Sequence, residues 1–192
     1  MVTTITFWNT IKAENLSIFQ ADSAIGSPSP YFLDCFLPYD YIGAPWYGNL
    51  LSERIIRYLS APSARYPKIF PVPLEDNTFY GGNGGFSLRS RLSTQTCVEL
   101  TINRSFNYPK YRTGFPEDVW FSFCIKHLLT NQHLPTRKAQ AAFASEQLHR
   151  GFNLRPFGIH KIWDNISPVN LKSLIDVCPE AIAAQIRSRN GS

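Results

Sequence analysis

Four glycines in five positions, Gly81-Gly82-Asn83-Gly84-Gly85, constrain this chain more than any other feature. Glycine loses more conformational freedom on folding than any other residue, so runs of it are kept where backbone needs positive φ or where another group must approach closely. Glycine with asparagine is also the commonest hairpin-turn chemistry. The segment therefore predicts either a turn or a stretch of bare backbone laid against a second molecule, followed by a strand over residues 85–88. Further along, Pro116-Glu117-Asp118-Val119 predicts a helix start. Proline suits the first helical turn, and Val119, Phe123 and Leu128 with Trp120 and Phe121 supply a broad apolar face.

A chain of 192 residues suits one domain, since about 150 residues already bury close to 70% of the surface that the unfolded chain exposes. We read residues 1–192 as a single domain. The 44% hydrophobic content argues against disorder. No run reaches the roughly 18 apolar residues of a membrane helix, and the N-terminus lacks the basic start and apolar core of a signal peptide. The net charge of +5 comes from scattered basic residues. It suits anionic substrates such as nucleotide diphosphates, and without a clustered stripe or an RNA-binding motif it does not point to nucleic acid. Cys35, Cys97, Cys124 and Cys178 have no C-x-x-C spacing, so zinc is not expected. Buried free thiols are, with disulfide formation left open by the unknown compartment.

Elsewhere, Leu16-Ser17-Ile18-Phe19-Gln20 reads as a buried strand delivering Asp22 at its C-terminal end, where open α/β sheets bind ligands. A second strand is expected over 39–43, halted by Ala44-Pro45-Trp46, and helices over 50–59 and 92–102. A proline-studded surface loop follows the first of these helices. Thr136 caps a helix through residue 148, residues 156–161 are extended, and Ser167-Pro168 opens a terminal helix that Pro179 continues.

Taken in order, Phe7-Trp8-Asn9, Phe19-Gln20-Ala21-Asp22-Ser23, Tyr39-Asp40-Tyr41-Ile42-Gly43-Ala44-Pro45-Trp46, Gly82-Asn83-Gly84-Gly85-Phe86-Ser87-Leu88-Arg89, Pro116-Glu117-Asp118-Val119-Trp120 and Pro156-Phe157-Gly158-Ile159-His160-Lys161 resemble an uncharacterised glycosyltransferase-like family. That family is itself similar to GT-A type glycosyltransferases. The resemblance implies an α/β fold with a GT-A-like mixed sheet flanked by helices, and a sugar transferred from a nucleotide sugar donor to a carbohydrate or other hydroxyl acceptor. Two departures matter. Ala21 replaces a hydroxyl residue of the family's block, while, like the family, the chain lacks the second carboxylate of a full Asp-x-Asp motif. Before Asp22, moreover, a GT-A enzyme has about a hundred residues of strands and helices holding the base, and this chain has barely twenty. The chain is therefore expected to carry the C-terminal, acceptor-side part and to lack most of the nucleotide-binding half.

Such a transfer needs neutralisation of the departing diphosphate, a base for the acceptor proton and a shaped, dry site. On the resemblance, Asp22 and His160 would hold a divalent cation, manganese or magnesium; read alone, Asp22 caps a turn and His160 is a hydrogen-bonded structural residue. Asp118 would be the general base and Glu117 the binder of the acceptor hydroxyl, although acidic residues also favour helix starts for stability alone. Gly82, Asn83, Gly84, Gly85, Arg89, Trp46 and Trp120 would bind substrate, against the ordinary expectation of buried tryptophan and of an arginine paired with a core carboxylate. A non-catalytic carbohydrate-binding module is the competing function. A glycosidase is a weaker one, for want of a clear second carboxylate segment.

Overall fold

The computed structural model of the chain describes residues 3–46, 81–102, 116–146, 155–161, 171–172, 175–176 and 178–190. They form a mixed α/β arrangement of two small sheets flanked by helices. The first sheet has the order β1 (Asn15–Phe19), β4 (Gly82–Ser90), β3 (Tyr41–Pro45), with both pairs antiparallel. The second has the order β2 (Ser23–Ile25), β6 (Gly158–His160), β5 (Ala144–Ser145), in which β2 runs antiparallel and β5 parallel to β6. The turn between Gln20 and Ser23, closed by Ser23 N–H on the Gln20 carbonyl at 3.0 Å, carries the chain from one sheet to the other.

Strand alternation places apolar side chains on both faces of the first sheet. Tyr41 joins Trp8 of α1 (Ile5–Thr10), Cys97 and Val98 of α2 (Arg91–Ile102), and Trp120, Phe121 and Ile125 of α3 (Glu117–Leu128) in one core. Ile42, Phe86 and Leu88 join Phe36 and Phe143 of α4 (Arg137–Phe143) in another. Beyond the second sheet, α5 (Glu180–Asn190) packs Ala181 with Cys178 against Ala24 and Ile159. Helix starts follow local chemistry. Ser90 accepts from the Ser93 N–H at 3.3 Å and Thr136 from the Ala139 N–H at 3.1 Å, each filling a donor that the first turn leaves orphaned.

Several sequence expectations change. Strand β1 is not buried: Ser17 and Phe19 are exposed, and the strand forms an edge of its sheet. Asp22 belongs to the turn into β2, and because the first sheet is antiparallel its strands share no carboxyl-terminal edge. The strand expected to halt at residue 43 runs to Pro45, a position that proline tolerates where the ladder is irregular. The helix capped by Thr136 stops at Phe143, since Ala144 turns extended (φ −152°, ψ 152°) and pairs with β6. Cys97 and Cys124 form a disulfide across α2 and α3, their Cα atoms 5.9 Å apart, leaving Cys35 and Cys178 as free thiols. The expectation of buried free thiols thus holds for Cys178 and fails for exposed Cys35 and for the pair that the two helices bring within bonding reach. The helix expected over 50–59, the proline-rich passage after it and the Ser167-Pro168 helix start lie outside the described residues. No helix among the described residues is long and apolar enough to cross a membrane.

Candidate functional site

The glycine segment is neither a free turn nor a flat strand. Gly43 pairs with Ser87 and Pro45 with Gly82, so five steps along β4 face two along β3, and β4 bulges toward its neighbours. On the other edge the ladder stays in register, Phe19 pairing with Phe86 and the Gln20 N–H reaching the Gly85 carbonyl at 2.9 Å. Of the glycines here, Gly81 has positive φ, at 94°. The others are needed for space. An added Cβ at Gly84 would stand 2.7 Å from Glu117 Oε1 and 2.9 Å from Arg89 Nη2, and one at Gly85 would stand 2.2 Å from His160 Nε2 and 2.6 Å from Gln20 Oε1.

A bulge frees backbone groups from the ladder, and buried ones need partners. Tyr41 Oη donates to the Gly82 carbonyl at 2.9 Å and Gln140 Nε2 to the Gly81 carbonyl at 2.7 Å. Asn83 Oδ1 accepts from the Gly85 N–H at 2.7 Å, while Asp118 Oδ2 accepts from the Gly84 N–H at 3.1 Å. Side chains from β3, α3 and α4 thereby hold the bare backbone in place and set two polar clusters against it.

The first cluster lies at the start of α3. Arg89 is fully buried, its guanidinium between the rings of Tyr41 at 5.2 Å and Phe121 at 5.3 Å. Its Nη2 donates to both Glu117 oxygens, at 3.0 and 3.2 Å. Both members of this pair had been expected at the substrate, and here they bind each other. Beside them Asp118 is pushed up to about 6, first by burial and then by the charge of Glu117; the Val119 and Gly84 N–H groups and Arg89 pull in the opposite direction. Burial likewise raises the Tyr41 phenol well above its usual value, against the lowering effect of Arg89.

The second cluster lies where the two sheets meet. His160 is buried, with Nδ1 3.3 Å from Glu146 Oε1, and with Nε2 3.0 Å from Gln20 Oε1 and 3.2 Å from Asp22 Oδ1. A single N–H at Nε2 cannot point at two acceptors. Asp22 Oδ1, shut away from solvent, is without a hydrogen bond. Glu146 is held in turn by Asn83 Nδ2 at 2.9 Å. Among the described residues no three His, Cys, Asp or Glu side chains converge as a metal group, because Glu146 stands on the far side of the imidazole from Asp22.

Residues 1–160 match the family described as "Protein of unknown function (DUF5672)". The chain belongs to this family. No curated protein and no solved structure matches it. The DUF5672 match contains every residue of both clusters, and its description carries no activity.

In this DUF5672 chain the structure brings Asp22 to His160, and Gly84 to Glu117 and Asp118, as the order of the sequence blocks suggested. Trp46 and Trp120 are placed otherwise. They are 7% and 4% exposed and offer no open face to a sugar ring; Arg137 donates to the backbone carbonyl of Trp46 at 2.7 Å, and Trp120 fills the helix core. Gln20, Glu146, Tyr41 and Gln140 were not singled out from the sequence. Gln20 and Tyr41 stand within quoted blocks, but Glu146 was hidden in a segment that reads as helix. A cavity of about 350 Å³ near Asp40, Ser90 and Arg91 lies at the opposite end of β4 from the glycines and is not part of this site.

Proposed function

We propose that the protein is a GT-A-like glycosyltransferase, moving a sugar from a nucleotide sugar to a hydroxyl acceptor with inversion and with assistance from a divalent metal. The observation that carries the proposal is Asp118, a largely buried carboxylate whose Oδ2 accepts the N–H of buried Gly84 at 3.1 Å and which burial pushes up to about 6. A base is most useful when its value lies just below working pH, so that it is ionised yet still proton-avid. Asp118 would take the proton of the acceptor hydroxyl. The acceptor oxygen would then bond to the anomeric carbon as the opposite carbon–oxygen bond breaks and the diphosphate leaves with its electron pair. Glu117, fixed by Arg89, is reassigned from acceptor binder to a positioning partner that keeps the helix start against Gly84.

The metal part of the reading rests on Asp22 and His160. Asp22 Oδ1 is a buried oxygen without a hydrogen bond, 3.2 Å from Nε2. Neighbouring ligands of a magnesium-like ion at about 2.1 Å stand about 3.0 Å apart, so this spacing suits one. A divalent ion bound there supplies positive charge to the departing diphosphate.

A second reading has its own support: both Asp118 oxygens already accept backbone N–H groups, from Gly84 at 3.1 Å and Val119 at 2.8 Å. In that reading the carboxylate only holds the bulge, and the protein is a carbohydrate-binding module. Nucleoside diphosphate release from a panel of nucleotide sugars, with manganese and hydroxyl acceptors, separates the two. Transfer by the wild type that falls by about 10² to 10⁴ in Asp118→Asn supports the enzyme; sugar binding without release from any donor supports the module.

A further inference from the structure

We infer that Gln20 is the third ligand of a divalent-cation site formed with Asp22 and His160, and that Glu146 is the residue that positions the imidazole for it. The inference deepens the metal-assisted reading and rests on it. Two oxygens flank His160 Nε2 where the sheets meet, Gln20 Oε1 at 3.0 Å and Asp22 Oδ1 at 3.2 Å. Both spacings match adjacent corners of an octahedron with metal–ligand bonds of about 2.1 Å. The carboxylate oxygen and the amide carbonyl oxygen are of the type that a hard divalent cation takes, and the imidazole nitrogen favours a first-row transition ion such as manganese over magnesium. As a purely structural arrangement it is deficient, because Asp22 Oδ1 is buried without a hydrogen bond. A cation would satisfy that oxygen and Gln20 together, whereas a single N–H satisfies one.

The other side of the ring supports the same assignment. An imidazole that binds metal through one nitrogen almost always donates from the other to a carboxylate or carbonyl, which fixes its tautomer and orientation. Glu146 Oε1 is at 3.3 Å from Nδ1, is itself anchored by Asn83 Nδ2 at 2.9 Å, and is buried. The chain bends the end of α4 into β5 to bring this carboxylate there. Gly85 completes the arrangement, since any side chain at that position would occupy the space of His160 Nε2 and Gln20 Oε1. Gln20 is exposed and Asp22 partly so, which leaves the open side toward solvent, where a hydrated ion and a diphosphate would arrive.

The test is binding of Mn²⁺ alone, followed by loss of the free-ion signal in electron paramagnetic resonance, with no sugar nucleotide present. Wild type is expected to bind stoichiometrically. Gln20→Ala should weaken binding by at least about tenfold, and Glu146→Gln by about 10- to 100-fold, while Gln20→Glu, which restores an oxygen ligand at the same reach, should bind at least as tightly as wild type. Gln20 is exposed, so its variants are expected to fold; Glu146→Asp, which draws the carboxylate back from Nδ1, replaces Glu146→Gln if the latter does not fold. Mn²⁺ bound equally by wild type, Gln20→Ala and the Glu146 variant overturns this inference and leaves the Asp22–His160 pair standing. Failure of wild type to bind, or binding unaffected by Asp22→Asn, overturns the metal reading itself.

Discussion

Asp118 is pulled in two directions, and the balance sets how the protein should respond to pH. Burial and the neighbouring Glu117 raise it from 3.8 to about 6, more than the Val119 and Gly84 N–H groups and Arg89 lower it. The folded state therefore holds this proton more tightly than the unfolded chain. Its contribution to stability is fully present below about pH 4 and is lost as pH rises through about 6, a change of up to about 3 kcal/mol. Urea unfolding between pH 4 and 7 should show this decline, and Asp118→Asn should flatten it. The same group predicts an acid limb near pH 6 in the rate of transfer. Glu117 behaves differently. Its two oxygens are the carboxylate partners of a fully buried guanidinium, so Glu117→Gln should cost stability first. Breaking a buried ion pair costs roughly 3 to 5 kcal/mol, and with Glu117 28% exposed solvent screening reduces the expected cost to about 2 to 3 by denaturant unfolding. Neither outcome was legible in the sequence. An acidic pair at a helix start looks the same whether it caps, pairs or reacts, and only the arrival of Arg89 from β4 separates the two carboxylates.

At the level of elements, the helices were the legible part. Arg91–Ile102 and Glu117–Leu128 announce themselves through Ser90, Pro116 and their apolar spacing, all of it local information. The glycine segment was not, because glycine has no side chain to carry a periodic pattern, and the bulge is held by Tyr41, Asp118 and Gln140, which come from three other elements. Space around each glycine ranks the expected damage. A Cβ at Gly85 meets a ring nitrogen at 2.2 Å, whereas one at Gly26 meets Cys178 Sγ at 3.2 Å, a contact that a small shift relieves. Gly85→Ala should destabilise by about 1 to 3 kcal/mol and displace the His160 ring, visible as a shifted imidazole resonance. Gly26→Ala should remain within about 1 kcal/mol of wild type. Equal effects at the two sites would show that the bulge yields more easily than its contacts indicate. The helix through Phe143 was legible at its cap and not at its end, since the partner that stops it, β6, is distant in sequence.

Across the whole molecule, the sequence blocks located both polar clusters but not the wall between them, which exists only once β4 is threaded between α3 and the second sheet. Lone residues such as Gln20 and Glu146 carry no signal of their own. The disulfide was equally unreadable: widely spaced cysteines meet only after α2 and α3 pack side by side. Joining Cys97 to Cys124, 27 residues apart, removes loop freedom from the unfolded chain worth about 3 to 4 kcal/mol. Thiol reduction should accordingly lower the melting temperature by on the order of 10 °C, and Cys97→Ala with Cys124→Ala should reproduce that loss without added reductant. The bond also makes the protein's history matter. Cytosolic reductants keep such thiols apart, while secretory or periplasmic surroundings let them join, so material prepared in the two settings would differ in how firmly α3, and with it the Asp118 carboxylate, is anchored.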